Sequence, residues 1–146
     1  MTVAFVCAAN TCRSPMLEAM FANYAHARGR DDINILSAGV EAHGEPVSEN
    51  TLSVLKKHGV PFEKRNAASL DKATFEKSDI IFTMSDAQRD AVCKAYGEDG
   101  KVISLSSVCG EDVFDPYGGG EDDYERVYRI FEGVLDKVAE KVFSLH

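Results

Sequence analysis

Val3-Ala4-Phe5-Val6-Cys7-Ala8-Ala9-Asn10-Thr11-Cys12-Arg13-Ser14-Pro15 packs a strand, a turn and the start of a helix into one short run near the N-terminus. The apolar residues Val3 to Val6 read as a buried strand. A polar turn follows, and Ser14 reads as the cap of a helix with Pro15 at its first position. Met16, Met20, Phe21 and Tyr24 continue at helical spacing to about Arg28, and Gly29 is the stop signal.

Working outward, the same theme repeats. Ile33 to Leu36 reads as a second strand closed by Ser37-Ala38-Gly39, and Pro46 to His58 as a helix ending at Gly59. Asp79 to Met84 gives a third strand, Asp86 to Tyr96 a helix ending at Gly97, and Lys101 to Leu105 a fourth strand. A long loop then carries Gly110 and Gly118-Gly119-Gly120. In the last helix Tyr124, Tyr128, Phe131, Leu135, Val138 and Val142 recur in steps of four and three. Strands alternating with helices predict an α/β fold of the doubly wound kind, a parallel sheet covered on both faces, spanning residues 1–146 as one domain. Sites in such folds lie at the carboxyl ends of the strands.

Composition narrows the function. A chain of 146 residues with 45% apolar and 27% charged residues can bury a core. A net charge of −8 argues against nucleic acid or an anionic membrane as partner. No apolar run approaches a spanning length, and polar Asn10 and Arg13 come too early for a signal peptide, so a cytoplasmic location is expected. Cys7, Cys12, Cys93 and Cys109 are too scattered for a disulfide framework or a zinc knuckle. His26, His43, His58 and His146 form no ligand spacing, and Gly118-Gly119-Gly120 lacks the Lys-Ser/Thr of a nucleotide-phosphate loop. Neither a metal nor an organic cofactor is expected.

The turn after the first strand carries the chemistry. Backbone N–H groups curling from Cys7 to Ser14 would form an anion-binding nest at a helix N-terminus. Arg13 adds a planar fork matched to two phosphate oxygens. These features favour the thiolate of Cys7, and the Ser14 hydroxyl could donate to it. A cysteine at a strand end is often only a packed hydrophobe. Here the strand before it and the helix after it favour a nucleophile for phosphoryl transfer through a cysteinyl-phosphate.

Cys7-x-x-Asn10-x-Cys12-Arg13-Ser14-Pro15 with Asp115-Pro116-Tyr117 far downstream resembles the low-molecular-weight protein tyrosine phosphatase family. Ser37-Ala38-Gly39, Gly44-Glu45-Pro46 and Asp79 to Met84 extend the resemblance over essentially the whole chain. It implies a four-stranded parallel sheet flanked by helices. Cys7 would be the nucleophile, Arg13 the transition-state clamp, and Asp115 the acid and then the base. Ala8, Ala9, Asn10, Thr11, Cys12 and Ser14 would bind phosphate, Tyr117 would flank the substrate, and Ser37 would brace the loop together with Asn10. The substrate would be a phosphorylated protein and the product inorganic phosphate, released by a monomer.

Several positions stay open. Asp115 could simply form an Asx turn before proline, while carboxylates crowded near it in sequence would suit an acid. Ser37 could be an ordinary strand-end hydroxyl, and His43 reads rather as a solvated loop residue than as a wall of the site. Cys12 could pair reversibly with the nucleophile or be a structural thiol. Gly118 stands where animal members often carry a second tyrosine, and Ala9 replaces a common glycine, which could strain the loop. Thr11 stands where tyrosine-specific members usually have isoleucine. With Asp115-Pro116-x-Gly118-Gly119 it resembles the bacterial branch acting on phosphoarginine. Tyr117 suits either an aromatic ring or a guanidinium. Arsenate reductases share the loop, but they relay a disulfide through two close cysteines, and Cys93 and Cys109 are far apart. A phosphate-binding module without catalysis would not be expected to keep Cys7, Arg13 and Asp115 together.

Overall fold

Odd and even side chains of the first strand enter different cores. In the computed structural model, which describes residues 1–97 and 100–145, strand β1 (Thr2–Cys7) sends Val3, Phe5 and Cys7 to one face and Ala4 and Val6 to the other. Pleating alternates side chains across a strand, so a run apolar at every position is a strand covered twice.

The other elements follow as α1 (Arg13–Ala27), β2 (Asn34–Gly39), α2 (Glu49–Lys57), α3 (Lys72–Lys77), β3 (Ile80–Thr83), α4 (Asp86–Tyr96), β4 (Val102–Ser104), α5 (Ser106–Cys109) and α6 (Glu121–Phe143). All strands are parallel in the order β2-β1-β3-β4. Cys7 pairs with Gly39 on one side and Val6 with Thr83 on the other. The chain leaves β1 toward one edge and later returns to β3 on the opposite side. The loop after β1 therefore opens at the topological switch point, where such sheets bind ligands.

One core holds Phe5, Phe21, Phe82 and Phe131 beneath α1 and α6, with Phe5 stacked on Phe82 at 5.6 Å and edge-on to Phe21 at 5.7 Å. The smaller core packs Val6, Ala38, Phe75, Ile81 and Val92 under α3 and α4. Helix α6 buries Tyr124, Val127, Tyr128, Phe131, Val134, Val138 and Val142, the expected stripe, with Leu135 at its edge. Its first turn carries Glu121, Asp122 and Asp123, and the Asp123 carboxylate accepts from Gly120 N at 3.1 Å. That acidic stretch complements the helix dipole.

Two local expectations are corrected, and two short helices are added. Helix α1 starts at Arg13 with Cys12 as cap residue and no side-chain cap, so Ser14 lies inside the helix and does not cap it. Helix α2 starts at Glu49: Ser48 caps it by accepting from Thr51 N, while Pro46 forms an isolated bridge with Asn66. The short helices α3 and α5 have too few turns to show a period, and the sequence reading placed neither. His146 lies outside the described residues.

Candidate active site

Glycine at position 39 lets the loop after β1 curl tightly. A Cβ there would stand 2.5 Å from Ala8 O and 2.9 Å from Asn10 N, so any other residue would push the loop off the end of β2. Val40 N donates to Cys7 O and Glu41 N to Ala8 O, which fixes the start of the curl.

Asn10 holds the curl closed. It is fully buried, and among the described residues it is the sole non-glycine at positive φ, 58°. Its amide donates to Ser14 Oγ (2.8 Å) and Ser37 Oγ (2.9 Å), its carbonyl accepts from Ala68 N (2.9 Å), and its own N–H points at Cys7 Sγ (3.3 Å). Asparagine tolerates the left-handed region better than other side chains. Ala9, by contrast, has an ordinary φ, so the strain expected from losing a glycine there does not arise.

Ser14 Oγ lies 2.9 Å from Cys7 Sγ. Ser14 accepts from the Asn10 amide, and of the two acceptors in reach of its own hydrogen, Cys7 Sγ at 2.9 Å and Ala38 O at 3.5 Å, the sulfur is the nearer. Cys7 thus faces two donors, a neutral backbone N–H and a hydroxyl, at the base of the cleft. The first turn of α1 has no side-chain cap, which leaves its backbone donors to an incoming anion.

Ser37 is more than a strand-end hydroxyl. It accepts from Asn10 and from Arg65 Nη2 (2.8 Å) and donates to Glu18 Oε1 (2.5 Å); Arg65 also donates to Glu18 Oε2 at 2.9 Å. This charged pair anchors the chain of hydrogen bonds that ends at Cys7. Sequence reading missed Glu18 and Arg65, which lie 47 positions apart. Helix α2 braces the other side: Ser48 N and Thr51 Oγ1 both donate to Thr11 O, at 2.9 and 3.2 Å. Cys12 Sγ sits 3.1 Å from Tyr124 Oη and 3.7 Å from Ser48 Oγ. Burial first, and then the hydrogen bond to Cys12, push the Tyr124 phenol up to about 12. The sequence places Tyr124 in the stripe of the last helix, and nothing local in it points to the contact with the loop.

A cleft of about 180 Å³ opens above Cys7, lined by Cys7, Ala8, Ala9, Thr11, Cys12 and Arg13 from the loop, and by Glu45, Asp115 and Tyr117 from elsewhere. Arg13 is nearly buried; its Nη1 donates to Val113 O (3.0 Å) and its Nη2 lies 3.5 Å from Asp115 Oδ2. Val113 N in turn donates to Met84 O at 2.9 Å, tying the Asp115 loop to the end of β3. Asp115 also forms the Asx turn, accepting from Tyr117 N at 3.1 Å, while it lines the cleft beside Arg13. Two of the carboxylates near it in sequence are engaged elsewhere: Asp112 accepts from Asp86 N and Asp123 from Gly120 N. The charged partner at Asp115 is Arg13, rather than a crowd of acids.

Tyr117 is 69% exposed and stands at the mouth. Gly118 follows with φ 80°, and Gly119 N donates to Pro116 O at 2.8 Å. The turn needs a left-handed residue there, so a second tyrosine would strain it. His43 is exposed and lines no part of the cleft; Glu45 does so instead. Cys93 packs toward the α3/α4 core and Cys109 toward the α6 core, on opposite faces of the sheet, which does not suit a relay pair. Among the described residues no group of three or more His, Cys, Asp or Glu is placed to hold a metal, and no helix is long and apolar enough to cross a membrane.

A sequence model of the family described as low molecular weight phosphotyrosine protein phosphatase matches residues 2–144. The protein-tyrosine-phosphatase PtpB of Staphylococcus epidermidis is 33% identical over 142 residues, covering 94% of this chain and 96% of that one. The protein-arginine-phosphatase of Bacillus subtilis is 31% identical over 148 aligned residues, covering 97% of each. A solved structure of the YwlE arginine phosphatase, a cysteine-to-serine mutant with a phosphorylated active-site serine, superposes with TM-score 0.87 at 29% identity, covering 97% of this chain and 95% of that one.

Proposed function

The chain belongs to the low molecular weight phosphotyrosine protein phosphatase family, and from that premise we propose how its cleft hydrolyses a phosphorylated side chain. It is a hydrolase of phosphoproteins, acting on phosphotyrosine or phosphoarginine through a cysteinyl-phosphate. The observation that carries the assignment of roles is Cys7 Sγ at the floor of the cleft, with the Asn10 N–H at 3.3 Å and the Ser14 hydroxyl at 2.9 Å, below Arg13 and Asp115.

Cys7 attacks phosphorus as the thiolate, stabilised by those two donors. The P–O bond of phosphotyrosine, or the P–N bond of phosphoarginine, breaks and its electron pair leaves with the substrate side chain. Asp115 supplies the proton that neutralises the leaving atom. Arg13 gives parallel N–H bonds to the equatorial oxygens, and the loop N–H groups of residues 8–14 share the charge. In the second step water attacks the cysteinyl-phosphate while Asp115 takes its proton. The S–P bond breaks, and inorganic phosphate and the Cys7 thiolate are restored.

Thr11 supports a narrower reading, phosphoarginine as the preferred substrate. It lines the cleft, with its hydroxyl 3.6 Å from Cys12 Sγ, where a tyrosine-specific wall would be aliphatic; the chain's relative in Bacillus subtilis is named for arginine. We take the chain to act as a monomer, since Cys7, Arg13, Asp115 and Tyr117 all reach the cleft from one chain. We place it in the cytoplasm, where a reducing environment keeps the Cys7 thiol competent. The test is phosphate release from matched phosphotyrosine and phosphoarginine peptides by the wild type and by Cys7→Ala. Release by the wild type alone is the expected result; equal release by both would refute the role of Cys7.

A further inference from the structure

We propose that Glu45 is a specificity-determining residue of the cleft, shifting its preference toward phosphoryl groups that carry positive charge beside phosphorus and so toward phosphoarginine. The inference deepens the phosphatase reading above and rests on it.

Glu45 lines the cleft together with Thr11, Arg13, Asp115 and Tyr117. Its backbone is pinned: Ala67 N donates to Glu45 O at 2.6 Å, Pro46 bridges to Asn66, and Val47 N donates to Arg65 O at 3.0 Å. That bridge reaches the segment carrying Arg65, and so the same network that holds the Cys7 loop. The side chain, in contrast, is unclaimed. Among the described residues the Glu45 carboxylate makes no hydrogen bond or ion pair, whereas Glu18 is paired with Arg65, Glu49 with Lys64 and Asp115 with Arg13. This exposed carboxylate, held by a fixed backbone at the mouth of an anion site, stands without a counter-charge until a substrate brings one.

Charge decides which substrate relieves that. Arg13 is the single cationic side chain lining the cleft, set against Glu45 and Asp115. Phosphotyrosine brings a dianion and an aromatic ring with no donor. Phosphoarginine brings N–H donors and guanidinium charge on the atoms next to phosphorus, where they meet the mouth as the phosphoryl group reaches Cys7. A carboxylate there attracts one substrate and repels the other. Because Glu45 is exposed, the contribution is screened, on the order of a two- to tenfold change in preference.

The experiment measures kcat/KM for matched phosphoarginine and phosphotyrosine peptides, and for para-nitrophenyl phosphate, with wild type, Glu45→Gln, Glu45→Lys and Cys7→Ala. The phosphoarginine-to-phosphotyrosine ratio is expected to fall roughly two- to tenfold in Glu45→Gln and further in Glu45→Lys. The wild-type ratio should fall with added salt, and that of Glu45→Gln should not. An unchanged ratio, equal change of both substrates, or no cleavage of phosphoarginine by the wild type overturns the role of Glu45. The aryl phosphate separates the two failures. Cleavage of it by wild type and not by Cys7→Ala, with a ratio that does not move, removes Glu45 alone. Cleavage by neither removes the phosphatase reading and this inference with it.

Discussion

The Arg13 guanidinium lies 3.5 Å from the Asp115 carboxylate across a hundred positions of sequence, with side-chain exposures of 8% and 53%. The pair is lopsided. Arg13 is locked between α1 and the Val113 carbonyl, while Asp115 hangs from an exposed loop by its Asx turn. A phosphate bound to the fixed Arg13 would replace Asp115 on the guanidinium and free the carboxyl to face the leaving atom. We propose that the fixed partner binds charge and the exposed one moves protons.

Asp115→Asn tests that division. The amide oxygen can still accept from Tyr117 N, so the loop is kept while the proton donor is lost. Turnover is expected to fall by about 10²–10⁴ for substrates with poor leaving groups, and by less for an activated aryl phosphate. A leaving-group series in steady state checks it, and equal slowing across the series would count against an acid.

Arg13→Lys tests the fixed partner. Lysine keeps the charge but presents a point rather than a fork, and it leaves Val113 O without its donor. A loss of roughly 10²-fold or more in kcat/KM is expected, together with weaker competitive inhibition by inorganic phosphate. Retention of phosphate affinity would show that charge alone suffices.

Much of this was legible because the loop is contiguous. Cys7, Asn10, Arg13 and Ser14 declare themselves at fixed spacing after a run that is apolar at every position, and the order of strands and helices follows from short apolar runs alternating with a period near 3.6. What joins Glu18 to Arg65, and Cys12 to Ser48 and Tyr124, is tertiary packing across 36 to 112 positions, which no local pattern records. Pro46 misled for a related reason. It looks like a first helical residue, yet its pairing with Asn66 is a long-range bridge, and Ser48 supplies the cap. Ser14-Pro15 departs in the opposite direction, because α1 starts at Arg13 with no side-chain cap.

Asn10 carries both a strained φ and the hydrogen bonds around the loop, and two substitutions separate them. Asn10→Ala loses the bonds and puts a Cβ in the left-handed region, and should cost about 2–4 kcal/mol of stability. Asn10→Gly relieves the backbone alone. It is expected to recover part of the stability in urea unfolding without recovering activity. Recovery of both would mean that the amide bonds to Ser14 and Ser37 do not position Cys7.

A pH dependence arises away from the cleft, where α2 meets α6. His58 bonds Glu125 at 2.9 Å and stacks on Tyr128 at 3.9 Å. The hydrogen bond from His58, helped by the nearby charges of His58, Lys57 and Arg129, holds the Glu125 carboxyl below its ordinary 4.5. A group whose folded value is depressed stabilises above its unfolded value and loses that contribution as pH falls through the folded one. Urea midpoints are therefore expected to fall below about pH 4.5, and less steeply in His58→Ala. Parallel curves for the two proteins would deny the coupling.

The central claim is that the phosphoryl group passes through Cys7. The direct measurement is the intact mass of the chain, quenched during turnover of a phosphorylated peptide and mapped by proteolysis. One added phosphoryl group on the peptide containing Cys7, absent from Cys7→Ala, is the expected result. Rapid turnover with no phosphorylated enzyme at any time point, or the group mapped to another residue, would contradict it.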